Sequence, residues 1–197
     1  MKTQYYTASS LDGFIATEDH SLEWLFPLAD PEATSYPDFI AEVGALAMGA
    51  STYEWLLRHA LKLGTSEETA WMYTQPAWVF TRRTFPAPAN APIRFVQGDV
   101  RPVHAEMRAA AGEKNIWIVG GGDLAGQFFD AGLLDEIIVQ IGSATLGSGK
   151  PFFPRFVPGP TLQLRAVQQY GVGMVELRYD IRPREAEPKE PSNGLHS

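Results

Sequence analysis

Cysteine is absent from this 197-residue chain. That excludes a disulfide framework, a thiolate nucleophile and a thiolate metal site. It fits a reducing compartment. Long apolar runs are also lacking. No stretch approaches the ~20 residues of a membrane span, and Met1 to Tyr6 carries no apolar leader segment. The expectation is a soluble, cytoplasmic protein that does not enter a membrane. Positive charge is scarce: Lys and Arg number 16 against 23 Asp and Glu, for a net charge of −7. Without a basic stripe, nucleic acid is not an expected partner. The histidines, at 20, 59, 104 and 196, form no H-x-x-x-H pair and have no carboxylate cluster beside them. No metal is therefore expected. No serine occupies a G-x-S-x-G elbow, which argues against an α/β-hydrolase.

What is present is ordinary for a globular chain, with 45% hydrophobic residues and a length that suits one domain. Residues 4–8 read as a strand, followed by a turn at Asp12-Gly13. "ALAMG" (45–49), "AWVFT" (77–81), "IRFVQ" (93–97), "IWIV" (116–119) and "EIIVQI" (136–141) read as further strands. Helical spacing fills the gaps at 37–43, 51–57, 101–111 and 123–131. Asp99 and Pro102 mark the start of the third helix. Residues 58–76 read as an insertion with a short helix near Glu67 to Tyr73, and 161–182 as two strands around Gly171-Val172-Gly173. Alternating strands and helices imply an α/β protein with a mostly parallel sheet covered on both faces and closed by an antiparallel hairpin. The proline-rich tail 183–197 reads as disordered. The domain is then 1–182.

The segment "IWIVGGGDLAGQFFDAGL" (116–133) raises a specific question. Three consecutive glycines cost conformational entropy. A buried strand that ends in glycine and feeds a helix is a phosphate-binding arrangement, because the first N–H groups of a helix are unpaired and carry partial positive charge. It is equally a tight turn with no ligand. Asp123 would repel an anion if it pointed inward; capping the helix or facing solvent are its other roles. "MGASTYEWL" (48–56) repeats the strand–glycine–helix pattern, with Ser51 or Thr52 available as a cap. Thr81-Arg82-Arg83 follows the strand "AWVFT" and suits a terminal phosphate.

Taken in order, "TASSLDGFIA", "MGASTYE", "VFTRR", "IWIVGGGDLAGQFFDAGLLDEIIVQI", "LGSGKPFFP" and "VELRYDI" resemble the dihydrofolate reductase-like superfamily. More closely, the chain resembles bacterial proteins that share their domain with the C-terminal reductase of riboflavin biosynthesis. The resemblance spans residues 2 to 182. It implies a three-layer αβα fold with a central mixed, mostly parallel sheet and a C-terminal antiparallel hairpin. It also implies NADPH as cofactor. Carried over, it places Ala8 at the nicotinamide carboxamide and Ile15 and Ala16 in the loop over the nicotinamide. Gly49, Ala50, Ser51 and Thr52 match the first phosphate junction, and Thr81, Arg82 and Arg83 the loop for the adenosine 2′-phosphate. Gly121, Gly122, Asp123, Leu124 and Ala125 match the second pyrophosphate loop, with Gly120 just before it.

The family's substrate side is less complete. True dihydrofolate reductases carry a first-helix carboxylate that pairs with the pterin. Here that helix offers Asp38 and Glu42, and neither spacing matches; Glu32 lies before Pro37. Arg58 sits past the helix, where it is no clear counterpart of the family's tail-binding arginine. Asp12 is a candidate near the nicotinamide, with stabilisation of its own turn as the simpler role. Trp24 lines a planar-substrate pocket or packs in the core, whereas Trp55 and Trp117 read as core. Two functions stay open. One is an NADPH-dependent reductase that transfers a hydride to a planar heterocycle, of the dihydrofolate or 5-amino-6-(5-phosphoribosylamino)uracil reductase type. The other is an NADPH-binding sensor without dihydrofolate reductase activity. A homodimer is an expected assembly, with Phe152 and Phe153 either at its surface or packed under the final hairpin.

Overall fold

The computed structural model describes residues 1–28 and 30–182. The tail expected at 183–197 lies outside them. One eight-stranded sheet organises the chain, in the order β5-β4-β3-β6-β1-β7-β10-β9. Its parallel members are β1 (Thr3–Ser10), β3 (Val43–Gly49), β4 (Ala77–Phe80), β5 (Ile93–Val96), β6 (Asn115–Gly120) and β7 (Glu136–Gly142). An antiparallel hairpin of β9 (Leu162–Tyr170) and β10 (Met174–Ile181) closes it against β7. A small second sheet pairs β2 (Phe14–Ala16) with β8 (Lys150–Pro151).

Period-two alternation explains the three layers. Along β3, Ala45 and Ala47 face one side and Leu46 and Met48 the other, all fully buried. The first side is covered by α3 (Val100–Ala111) and α4 (Gly122–Asp130), which contribute Val103, Met107, Leu124, Phe128 and Phe129. The second is covered by α1 (Tyr36–Ala41), α2 (Ala50–Trp55) and a single π turn at Leu56–Ala60, which contribute Phe39, Tyr53, Leu56 and Leu57. Small side chains on the α3 side let that helix come close. A Cβ on Gly44 would sit 2.6 Å from the Ala111 carbonyl oxygen.

Asp99 caps α3 as the sequence predicts, accepting a bond from the Arg101 N–H at 3.0 Å. Two expectations change. Glu67 to Tyr73 is not helical. Trp71 and Tyr73, two residues apart, both pack inward, Trp71 on Tyr53 and Tyr73 on Trp117, which is the periodicity of extended chain. Ser51 and Thr52 are not caps but lie inside α2, whose N-cap is Gly49. Of the two placements open to Phe152 and Phe153, the inward one is observed. Phe152 stacks on Tyr5 at 5.4 Å, and Phe153 meets Phe129 edge-on at 5.7 Å.

Candidate functional site

The carboxyl ends of four neighbouring parallel strands open into one cavity of about 450 Å³. Thr7 of β1, Gly49 of β3, Phe80 of β4 and Val119 and Gly120 of β6 line it. This is the edge where open α/β sheets bind ligands, because strand ends and helix starts converge there. The volume falls within the roughly 300–1,000 Å³ of small-molecule sites. Ile15, Ala16, Ala50, Ser51, Thr52, Gly121, Gly122, Asp123 and Leu124 complete most of the wall predicted from sequence.

The three glycines turn out to do different things. A Cβ on Gly120 would sit 2.9 Å from the Thr52 hydroxyl. One on Gly122 would sit 2.2 Å from the Phe152 carbonyl oxygen, so the 151–152 backbone packs directly on the start of α4. A Cβ on Gly121 would meet only Ile15 Cδ1, at 3.8 Å. The Gly120–Gly121 peptide is cis, and Gly121 has extended dihedrals (φ −92°, ψ −176°). Packing thus demands glycine at 120 and 122. At 121 the side-chain position faces the cavity.

Gly121 is also the N-cap of α4, and no side chain bonds to that cap. Gly49 caps α2 in the same way. The first N–H groups of both helices are left without side-chain acceptors at the cavity wall, which is the arrangement that receives an anion. Asp123, which also lines the cavity, is tied into an ion pair. Its carboxylate accepts from Arg155 Nη1 at 3.1 Å and Nη2 at 3.2 Å, and from Gln127 Nε2 at 2.8 Å. Arg155 reaches it because Gly126 has no side chain; a Cβ there would sit 2.5 Å from the guanidinium carbon. Arg155 also bonds Asp130 at 2.7 Å, and the two carboxylates raise its pKa.

Other predicted residues lie around this wall. Ala8 and Ala125 flank Thr7 and Leu124, respectively, which line the cavity. Thr81, Arg82 and Arg83 follow Phe80 at its β4 end. The Thr81 hydroxyl accepts from the Arg83 N–H at 2.8 Å and shapes the turn. Arg83 Nη1 bonds Glu54 at 2.9 Å while its guanidinium lies 4.8 Å above the Phe85 ring. Arg83 is therefore the largest influence holding the Glu54 carboxyl below its ordinary pKa.

The three catalytic candidates are placed elsewhere. Asp12 clasps a loop: it accepts from the Ser10 hydroxyl at 2.6 Å and from the N–H groups of Leu146 at 3.1 Å and Gly147 at 2.7 Å. The Ser10 bond is the main cause of its lowered pKa. Trp24 packs towards β7, where a Cβ on Gly142 would sit 3.0 Å from its ring. Its indole nitrogen is buried without a hydrogen-bond partner. Asp38 is exposed on the first turn of α1. Glu42 is exposed at that helix's C-cap, and Glu32 in a short 3-10 turn. No carboxylate of α1 lines the cavity.

Sequence reasoning missed several wall residues. Trp55, read as core, is half-buried and lines the cavity, stacked 5.1 Å from His59. Leu22, Gln127 and Lys150 line it as well, beside His20, which the sequence does offer as a polar candidate near that end. Trp55 falls on the apolar face of its helix, so nothing in the pattern separates it from a core residue. A second groove adjoins at Leu22 and Trp55 and runs past Phe26, Arg58, His59 and Lys62. Arg58 there is paired with Glu54 at 2.5 Å. Among the described residues, no group of three or more His, Asp or Glu is placed to hold a metal ion, and no helix is long and apolar enough to cross a membrane.

The comparisons with known proteins agree with this architecture. The chain is 30% identical over 178 residues to the uncharacterized protein YwjB of Bacillus subtilis (strain 168), spanning 90% of this chain and 97% of that one. A protein assigned to riboflavin biosynthesis from Shewanella sp. PV-4 superposes with a TM-score of 0.75 at 22% identity, over 92% of this chain and 99% of its own. Dihydrofolate reductase from Enterococcus faecalis, solved with NADP(H), superposes with a TM-score of 0.59 at 15% identity, over 91% and 96%. At such identities the two structures establish a shared dihydrofolate reductase-like fold. Residues 2–176 match the family model of the RibD C-terminal domain, and the chain belongs to that family.

Proposed function

We propose that this chain is an NADPH-dependent reductase acting on a planar heterocycle. The observation that carries the reading is the cavity at four strand ends, walled by two uncapped strand–glycine–helix junctions and open at Gly121. Its fit to a dinucleotide rests on this chain's own residues. The α4 N–H groups are free of side-chain acceptors, and Asp123 is paired with Arg155, which it shares with Asp130. Arg82 is exposed at the β4 end and has no ion pair among the described residues, so it is available to a 2′-phosphate. The solved relatives include reductases, one of them complexed with NADP(H), and a deaminase/5-amino-6-(5-phosphoribosylamino)uracil reductase from Thermotoga maritima.

When bound, NADPH supplies a hydride to an acceptor ring. The protein's part is to bind, align and exclude water. Ile15 and Ala16 cover one side of the cavity from β2, held there by the β2–β8 pairing. Trp55, Leu22 and Val119 offer flat and apolar surface for a ring. His20 is the titratable group of the covering loop that lines the cavity. The absence of an α1 carboxylate from the wall favours a second reading, in which the protein binds NADPH as a sensor and turns over neither ring. The test is fluorescence titration with NADPH and NADH, followed by cofactor oxidation with dihydrofolate and with the riboflavin-pathway pyrimidine. Binding with turnover of either ring supports the reductase. Binding with no turnover supports the second reading. No binding of NADPH overturns both.

A further inference from the structure

We propose that Lys150 supplies the positive charge that receives the bridging diphosphate of the nucleotide. The inference rests on the dinucleotide reading above and adds a residue to it. Lys150 lines the same cavity as Gly121, Gly122 and the start of α4. It is half-buried, and among the described residues it has no carboxylate partner and no side-chain hydrogen bond. Of the other basic side chains around the cavity, Arg82 is unpaired but stands at the far, β4 end, and the remaining two are committed. Arg155 is held by Asp123 and Asp130, and Arg83 by Glu54. In a chain of net charge −7, an unpaired ammonium on the cavity that an uncapped helix start also lines is a charge without a counterpart.

Its position is fixed by backbone, not by a flexible loop. Lys150 is paired with Ala16 across β8 and β2. Gly149 lies so close to β2 that a Cβ there would sit 2.2 Å from the Ala16 carbonyl oxygen. On the other side, the Pro151 and Phe152 carbonyls press on Gly122, and the Phe152 N–H donates to the Gly13 carbonyl at 2.8 Å. The lysine therefore stands between the covering loop and the first turn of α4. An anion held by both would join those two walls of the cavity.

The test uses the full chain with Lys150→Met and Lys150→Arg. Affinity is read by fluorescence titration with NADPH and NADH at several salt concentrations, and folding by melting temperature. A lost charge-assisted bond predicts weaker binding by about tenfold or more in K150M. NADPH and NADH should lose equally, because both carry the diphosphate. K150R should recover most of the affinity, and K150M should show a shallower salt dependence. Loss confined to NADPH would assign the lysine to the 2′-phosphate and overturn the proposal. Unchanged cofactor affinity with a raised KM for the acceptor would assign it to the substrate, which also overturns it. Unchanged behaviour throughout overturns it while leaving the dinucleotide reading intact. A wild-type chain that binds neither nucleotide overturns that reading and this one together.

Discussion

Gly121 and Gly122 are chemically identical neighbours, and the structure asks opposite things of them. Gly122 is pressed by the Phe152 carbonyl, so Gly122→Ala must move backbone. It is expected to lower the melting temperature, at a cost of about 1–3 kcal/mol for overpacking. Gly121 faces the cavity, and a Cβ there meets only Ile15. Gly121→Val is expected to keep the circular dichroism spectrum and most of the melting temperature while removing NADPH binding. If G121V binds NADPH as the wild type does, the run is a turn and not a cradle. The sequence showed that these glycines mattered but not how they divide the work. Gly122 is crowded by a segment thirty residues away, and Asp123 is paired with Arg155, 32 residues on. Contacts of that range leave no local pattern. Lys150 and Trp55 were illegible for a related reason: their residue types are common, and only the closure of the sheet brings them to one wall.

At the scale of elements, the sheet was largely readable. Buried parallel strands announce themselves as short apolar runs, and each predicted strand agrees with an observed one to within a few residues. The helices were readable where they are amphipathic, as in α3 with its Asp99 cap. Loops were harder, because their order comes from side chains bonding distant backbone. Asp12 is the clearest case. It was singled out as a polar residue near the site, and it ties the β1 turn to the 146–147 backbone. Asp12→Ala should therefore release that loop. Hydrogen exchange is the direct measurement: the Leu146 and Gly147 amides should exchange faster in the variant, with the β1 and β7 amides unchanged. Equal exchange at those two amides would mean that the loop is held by other bonds. The segment 67–73 marks the opposite failure. Its Glu, Ala and Met residues favour a helix, and packing of Trp71 and Tyr73 against the second core overrides that and makes it extended.

Across the whole molecule, buried polar groups join layers that hydrophobic packing alone would let slide. Glu176, 1% exposed on β10, accepts from Ser35 at 2.5 Å, Gln140 at 3.0 Å and Arg178 at 2.8 Å. Gln140 also donates to the Tyr6 hydroxyl at 2.6 Å. That network links the entry to α1 with β1, β7 and β10. Glu176→Leu should cost about 1.5–3 kcal/mol for each charged bond left unmade, read as a fall in the urea midpoint. His104 makes a second link, from α3 to β1, through a 2.8 Å contact between its Nε2 and the Thr3 hydroxyl. Burial pushes its imidazole below the ordinary 6.5, Arg108 adds to that, and Asp135 opposes it. The unfolded chain thus binds a proton more readily than the folded one in the interval just below pH 6.5. Stability from His104 is fully present above that value and is lost as pH falls through the interval towards the folded value. Melting temperatures of wild type and His104→Gln should be compared from pH 7.5 to 5. The wild type is expected to lose more of its melting temperature over that range than the variant. Parallel curves would mean that the acid sensitivity of the fold lies with its carboxylates.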